Sequence, residues 1–179
     1  GVSDTEKQLA HAILIYANEA LSYFDSGVSR KISALAEKYS RYATNSEFPA
    51  SGDVGNIAAA LDYVRLNLGS APEFMFTSRF GFSGTLTFSY TSIDGNTISR
   101  TVTFDGSVKT VTLSEMRAYD FRSLITITGT AADGTAISGS YSLGNYAEDK
   151  TGSLLKLLTA LSNYAEASHA LKLEKMNNG

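Results

Sequence analysis

The stretch "GTLTFSYTSIDGNTISRTVTF", residues 84–104, decides how this chain is read. Leu86, Phe88 and Tyr90 alternate with Thr85, Thr87 and Ser89. A period of two sends one row of side chains to a core and the other to water, the signature of a half-buried strand. Asp94-Gly95 then interrupts the pattern. This dipeptide favours a tight hairpin turn, because such turns need a residue at positive φ. Beyond it Ile98, Val102 and Phe104 take up the alternation again. The device recurs. Asp105-Gly106 separates "TVTF" (101–104) from "SVKTVTL" (107–113), and Asp133-Gly134 separates "LITITGTA" (124–131) from "TAISGSYSL" (135–143). Short strands at such spacing predict an antiparallel sheet or small sandwich of six to eight strands over residues 72–147.

Outward from this block the period changes to 3.6. Ser3 with Glu6 three residues later is a capping box, in which hydroxyl and carboxylate each satisfy a backbone N–H of the first turn. Leu9, Ile13, Tyr16, Ala20, Tyr23 and Phe24 follow as one apolar stripe, and Asp25-Ser26-Gly27 is the stop. A second helix is expected over 29–44, with Ile32, Leu35, Tyr39 and Tyr42 inward. "NSEFPASGD" (45–53) reads as a loop. A third helix is expected from Asp53, carrying Ile57, Leu61, Val64 and Leu68 and stopped by Gly69. After the strands, Asp149, Thr151 and Ser153 open a last helix over 149–177, striped by Leu154, Leu157, Leu158, Leu161, Tyr164, Ala165 and Leu171. The expectation is an α+β chain: a helical segment over 2–69, the antiparallel block, and a C-terminal helix docked on the N-terminal ones, in one compact unit.

The first and last helices also resemble each other. With Tyr16 set on Tyr164, Leu9 meets Leu157, Ala12 meets Ala160, Ile13 meets Leu161 and Ala17 meets Ala165. These matches fall on one helical face, so both tyrosines are expected inside a helical layer.

Composition narrows the function classes. The net charge is −3 and no Lys/Arg run exceeds Arg30-Lys31. That argues against a nucleic-acid partner, which needs a concentrated basic face. There is no cysteine, so disulfides, thiolate chemistry and cysteine-ligated zinc are excluded together. No apolar run approaches the roughly 20 residues of a membrane span, so no membrane insertion is expected. The chain opens on Gly1 and not on Met, as expected of a trimmed chain, so the absence of a signal or anchor proves nothing. At 179 residues it is long enough to hide roughly 70% of its unfolded surface without staples.

A hairpin strand that closes on Tyr141-Ser142-Leu143 and Asn145-Tyr146-Ala147 leads to a helix with Leu157, Leu158, Leu161, Asn163, Tyr164 and Ala165. This order resembles a repeated module of surface and secreted proteins from Gram-positive gut bacteria. "AILIYANEALSYF" (12–24) is similar to the helix that ends that module, and keeps its Tyr23-Phe24 ending. "FMFTSRFGF" (74–82) and "SEMRAYDFRSLITIT" (114–128) resemble its strand entry and its turn into a later strand. Ala17 and Ala165 stand where the module has glycine, and His169 stands near the place of its glutamine–aromatic end. The resemblance implies a non-catalytic extracellular module, a spacer or adhesive unit of a bacterial cell-surface protein. Its partners would be neighbouring modules, and a glycan or a surface protein of host or bacterium. It implies no cofactor and no catalytic residue.

The residues that can carry chemistry lead to the same expectation. His11 and His169 are the two histidines, and the zinc spacing His-x-x-x-His is absent. Asp94, Asp105 and Asp133 each sit alone in their loops, whereas calcium needs several converging oxygens. No metal or cofactor is therefore expected. Glu115, Asp120, Glu148 and Asp149 are the carboxylates available for glycosidase pairing, and solvation is their default. "GFSG" (81–84) is one residue short of a nucleophile elbow. "SGDVGN" (51–56) lacks the strand and lysine of a phosphate loop.

Tyrosine, present ten times against no tryptophan, offers a binding platform. The segment "RAYDF" (117–121) breaks the strand alternation. Arg117, Tyr119 and Asp120, with Tyr90, are the expected ligand-binding face. On this view the alternative function is a carbohydrate- or peptide-binding module.

Overall fold

The computed structural model describes residues 1–24, 40–69 and 71–178. Two compact units emerge, one of residues 1–48 with 147–179 and one of residues 49–146. The chain is thus α+β, with terminal helices in the first unit and two antiparallel sheets in the second.

The helical unit holds α1 (Asp4–Phe24) and α3 (Gly152–Asn178). The capping box forms as expected. The Glu6 N–H donates to Ser3 Oγ, and the Ser3 N–H donates to Glu6 Oε2, both at 3.2 Å. The two helices pack on each other. Their tyrosines meet, Tyr16 and Tyr164 stacking with centroids 5.5 Å apart and planes at 24°. Tyr16 is buried and Tyr164 half-buried, as expected. On α3 the stripe Leu157, Leu158, Leu161 is wholly dry, each side chain stabilising by about 1.5–3 kcal/mol. On α1 the cover is narrower. Ala12 and Tyr16 are inside, while Ile13, Tyr23 and Phe24 are exposed. Asn163 of α3 fixes the loop after a short 3-10 turn (Ser40–Tyr42), its Oδ1 accepting from the Ser46 N–H and Oγ at 3.0 and 2.9 Å. The expected second helix, with Ile32, Leu35 and Tyr39, falls largely outside the described residues, as does the Asp25-Ser26-Gly27 stop.

The expected third helix is not there. Ile57–Ala59 make a 3-10 turn, and Leu61–Asn67 are strand β1. Tertiary pairing overrides the helical spacing here. The strand Glu73–Ser78 (β2) carries Phe74 and Phe76 and needs a hydrogen-bonded neighbour. β1 supplies it antiparallel, with Leu66 opposite Phe74 and Val64 opposite Phe76. Gly69 accordingly follows a strand and caps no helix.

Five further strands complete the β unit: β3 (Ser83–Thr91), β4 (Thr97–Asp105), β5 (Thr110–Thr112), β6 (Ile125–Ala131) and β7 (Ala136–Tyr141). They form sheets of order β1-β2-β5 and β4-β3-β6-β7. The Asp94-Gly95 and Asp133-Gly134 turns join paired strands as read from the sequence. Asp105-Gly106 does not. It carries the chain from β4 in one sheet to β5 in the other, since β5 finds its partner in β2. In each turn the aspartate Oδ1 accepts the N–H two residues on, from Asn96, Ser107 and Thr135 at 2.9, 3.0 and 2.9 Å.

The alternation that opened the reading is realised side by side. Leu86, Phe88 and Tyr90 of β3, with Phe104, Ile125 and Ile127, are buried. The opposite face is almost wholly hydroxyl. Thr85, Thr87, Ser89 and Thr91 stand across from Thr103, Thr101, Ser99 and Thr97. Aromatic rings link elements within the unit. Phe74 stacks on Phe121 at 4.5 Å, and Phe76 lies 5.2 Å from Phe88. Such pairs add about 0.5–1.5 kcal/mol beyond their buried area.

Polar side chains tie the segment 49–56 to the end of this unit. Asn56 pairs with β7 as a strand residue would, its amide donating to the Ala136 carbonyl and its oxygen accepting from the Ser138 N–H, both at 2.8 Å. Asn145, on the short helix α2 (Leu143–Ala147), accepts from the Gly52 and Ser142 N–H groups at 2.8 Å and donates to the Gly52 carbonyl. Ser142 Oγ donates to the Ala50 carbonyl at 2.8 Å. Gly139 is required under this cover, because a Cβ there would meet the Val54 carbonyl oxygen at 2.1 Å. No helix among the described residues is long and apolar enough to cross a membrane.

Candidate functional site

The four residues expected to form a ligand face share one neighbourhood, but two of them are interior. Tyr90 ends the inward row of β3 and is 5% exposed. Asp120 closes the 3-10 turn Ala118–Asp120 and is 4% exposed. Its carboxylate is occupied. Ser92 Oγ donates to Oδ2 and the Ile93 N–H to Oδ1, both at 2.9 Å. Asp120 is therefore a clasp that fixes the β3–β4 hairpin to the 117–123 turn. The Tyr90 phenol is pushed up to about 12, chiefly by burial, then by the negative charge of Asp120 and Glu115 and by Tyr119, with Arg117 opposing. Tyr119 is half-buried and Arg117 exposed. Beside Tyr90 a hollow of about 420 Å³ is lined by the hydroxyls of Ser89, Thr91, Thr97, Ser123 and Thr126 and by Leu124.

A second place on the same unit combines an aromatic ring with open space. β2 ends at Ser78, and the chain turns through Arg79-Phe80-Gly81-Phe82 into β3. Phe80 is 86% exposed, the most exposed large apolar side chain among the described residues. Its exposure is fixed by the backbone. The Arg79 N–H donates to the Ala60 carbonyl at 2.8 Å and the Phe82 N–H to the Arg79 carbonyl at 3.2 Å. The Gly81 N–H donates to the Gly106 carbonyl at 2.7 Å and the Gly106 N–H to the Phe82 carbonyl at 3.0 Å. Gly81 takes φ +89°, which a side chain would resist. Leaving such a ring in water forgoes about 1.5–3 kcal/mol of burial.

Between this turn and the Asp133-Gly134 turn lies a groove of about 450 Å³. Phe82 and Ile137, both buried, are among its lining residues, together with the short Ala59, Ala131 and Ala132. Its polar groups are Arg79, Ser83, Asp133 and Thr135. Arg79 is held by the Ala58 carbonyl, which accepts from Nε, and by Asp62 at 3.8 Å. Asp133 is held below the usual carboxylate range by the Thr135 N–H and hydroxyl, so it is ionised at neutral pH.

Phe80 was hidden in "FMFTSRFGF" because it continues the parity of Phe74 and Phe76 and so reads as another inward residue. The available signal was Gly81 directly after it, which marks a turn at a strand end. Among the other tyrosines, Tyr63 is half exposed on β1, with the Arg65 guanidinium 5.5 Å from its ring centroid. Tyr39 lies outside the described residues.

Other candidate groups go elsewhere. Asp149 is exposed and pairs with Lys150 at 2.9 Å, whose hydrogen bond and charge lower its pKa. Burial lowers the His11 imidazole. Among the described residues no three His, Cys, Asp or Glu side chains are grouped to hold a metal ion. Compared with protein-family models, curated proteins and solved structures, the chain finds no match.

Proposed function

We propose that this chain is a non-catalytic, extracellular module of a bacterial cell-surface protein, an adhesive unit that also spaces its neighbours. The observation that carries the reading is Phe80, an aromatic ring held out in water by a pinned turn beside a groove. A solitary exposed leucine or phenylalanine on a mobile loop needs no explanation. A phenylalanine on a turn whose backbone is pinned by four hydrogen bonds is a presented contact group.

The rest of the β unit suits that task. We take its sheets as the two layers of a small sandwich, whose inner faces meet through Phe76 and Phe88. The turns are stiffened by aspartates and the loops clasped by Asn56, Asp120 and Asn145. Such a scaffold presents loops without reorganising, which keeps the entropy cost of contact low. The resemblance of the helix and hairpin motifs to the repeated surface module supports the extracellular placement, and neighbouring modules are then its covalent partners. Two of the four carboxylates weighed for catalysis support the non-catalytic part. Asp120 is spent on a clasp and Asp149 on a surface ion pair.

Antibodies against the purified chain test this. They are expected to label intact cells of the source organism. Labelling that appears only after lysis would overturn the reading.

A further inference from the structure

We propose that the groove beside Phe80 binds a neutral pyranose oligosaccharide, with the Phe80 ring as the stacking platform. The inference rests on the adhesive reading and names the ligand chemistry of that site.

The groove's chemistry selects the ligand. A pyranose has two unlike sides, a face of C–H groups and a rim of hydroxyls that both donate and accept. The C–H face matches an aromatic ring open to solvent, as Phe80 is at 86% exposure. The hydroxyl rim needs fixed donors and acceptors around that ring. Arg79 supplies a guanidinium, Asp133 an ionised carboxylate, and Ser83 and Thr135 hydroxyls. Both charged groups are already oriented, Arg79 by Asp62 and the Ala58 carbonyl, and Asp133 by the Thr135 N–H. Ala59, Ala131 and Ala132 keep the walls short, and the volume of about 450 Å³ accepts one or two sugar rings.

Charge disfavours an acidic competitor. The Arg79 cation is already paired with Asp62, which leaves the Asp133 carboxylate to repel an anionic ligand. An apolar peptide would strip water from Arg79 and Asp133 and return no hydrogen bond to them, at a desolvation cost.

The test is a titration of the ¹⁵N-labelled chain, followed by its amide resonances, with cellohexaose, mannohexaose and chitohexaose in turn. At least one is expected to shift the amides of residues 79–83 and 131–135 with a Kd of about 1 mM or tighter. Phe80→Ala is expected to weaken that binding about tenfold or more while leaving the remaining resonances in place. Asp133→Asn keeps the turn acceptor and is expected to weaken it severalfold. The proposal is overturned if none of the three sugars shifts these amides up to about 10 mM. It is also overturned if the shifts fall on residues 89–91 and 117–126 instead, if Phe80→Ala binds as the parent does, or if a proline-rich peptide moves the same amides while the sugars do not. Failure here with intact-cell labelling preserved would leave the adhesive reading standing and remove only the sugar.

Discussion

In the helical unit the buried stripe of α3 is aliphatic, Leu157, Leu158 and Leu161, and one stacked tyrosine pair marks where it meets α1. In the β unit a cluster of aromatic rings stands among the aliphatic side chains of the interior, and its loops are tied by buried or half-buried carboxylates and amides. The first arrangement is non-directional and tolerates repacking. The second depends on named donors and acceptors, so single atoms matter more.

Truncation of the two cores gives the largest effects and the sharpest contrast. Phe74→Ala removes a ring in contact with Phe121, Phe76 and Tyr141 and is expected to cost about 3–5 kcal/mol. Leu161→Ala in the helical unit is expected to cost about 2–5 kcal/mol. Urea unfolding measures both, and a loss under about 1 kcal/mol at Phe74 would break the picture of an aromatic cluster.

Asp120→Ala comes next, at about 2–3 kcal/mol, because Ser92 Oγ and the Ile93 N–H lose a charged acceptor. It also removes one of the charges that raise Tyr90, so the phenol should titrate lower by absorbance at 295 nm. An unchanged Tyr90 titration would remove Asp120 from that neighbourhood.

Alkali probes both units at once. Tyr16 is pushed up to about 12, by burial first and then by Tyr164, and Tyr90 reaches about 12 as well. An unfolded tyrosine loses its proton near pH 10. Their contribution is thus complete below about pH 10 and is lost as pH rises toward about 12, since the unfolded chain ionises first. Tyr16→Phe and Tyr90→Phe should each delete one late-titrating phenol and flatten the alkaline loss of stability.

Ser3→Ala removes the cap of α1 and is expected to cost about 1 kcal/mol. Smallest of all, Phe80→Ala should change stability by less than about 0.5 kcal/mol, because its ring is already in water. A larger loss would show that the ring packs and is not presented.

The contrast also explains what the sequence could tell. Helix α3 and the β3–β4 hairpin were legible because burial follows a single period along each. The capping box was legible because both its partners are local. The span 53–68 misled because Ile57, Leu61, Val64 and Leu68 keep helical spacing while the strand rows of β2 needed a neighbour. That demand is non-local and leaves no mark on the segment itself. Asp120 illustrates the same limit. "RAYDF" signalled an irregular place correctly, but only the approach of Ser92 and Ile93 turned an expected ligand carboxylate into a clasp. Phe80 was concealed by its parity, and a single glycine decided against it.

The aspartate turns bear on how the chain ages. Asp-Gly links isomerise when the glycine nitrogen attacks the side-chain carboxyl to close a succinimide, a reaction that favours the protonated acid and a slack backbone. At Asp105 and Asp133 hydrogen bonds from Ser107 and Thr135 lower the carboxyl pKa and so disfavour the protonated acid that this closure needs. Unfolding breaks these bonds, so isoaspartate at the turn beside the Phe80 groove should accumulate only in material whose β unit has opened.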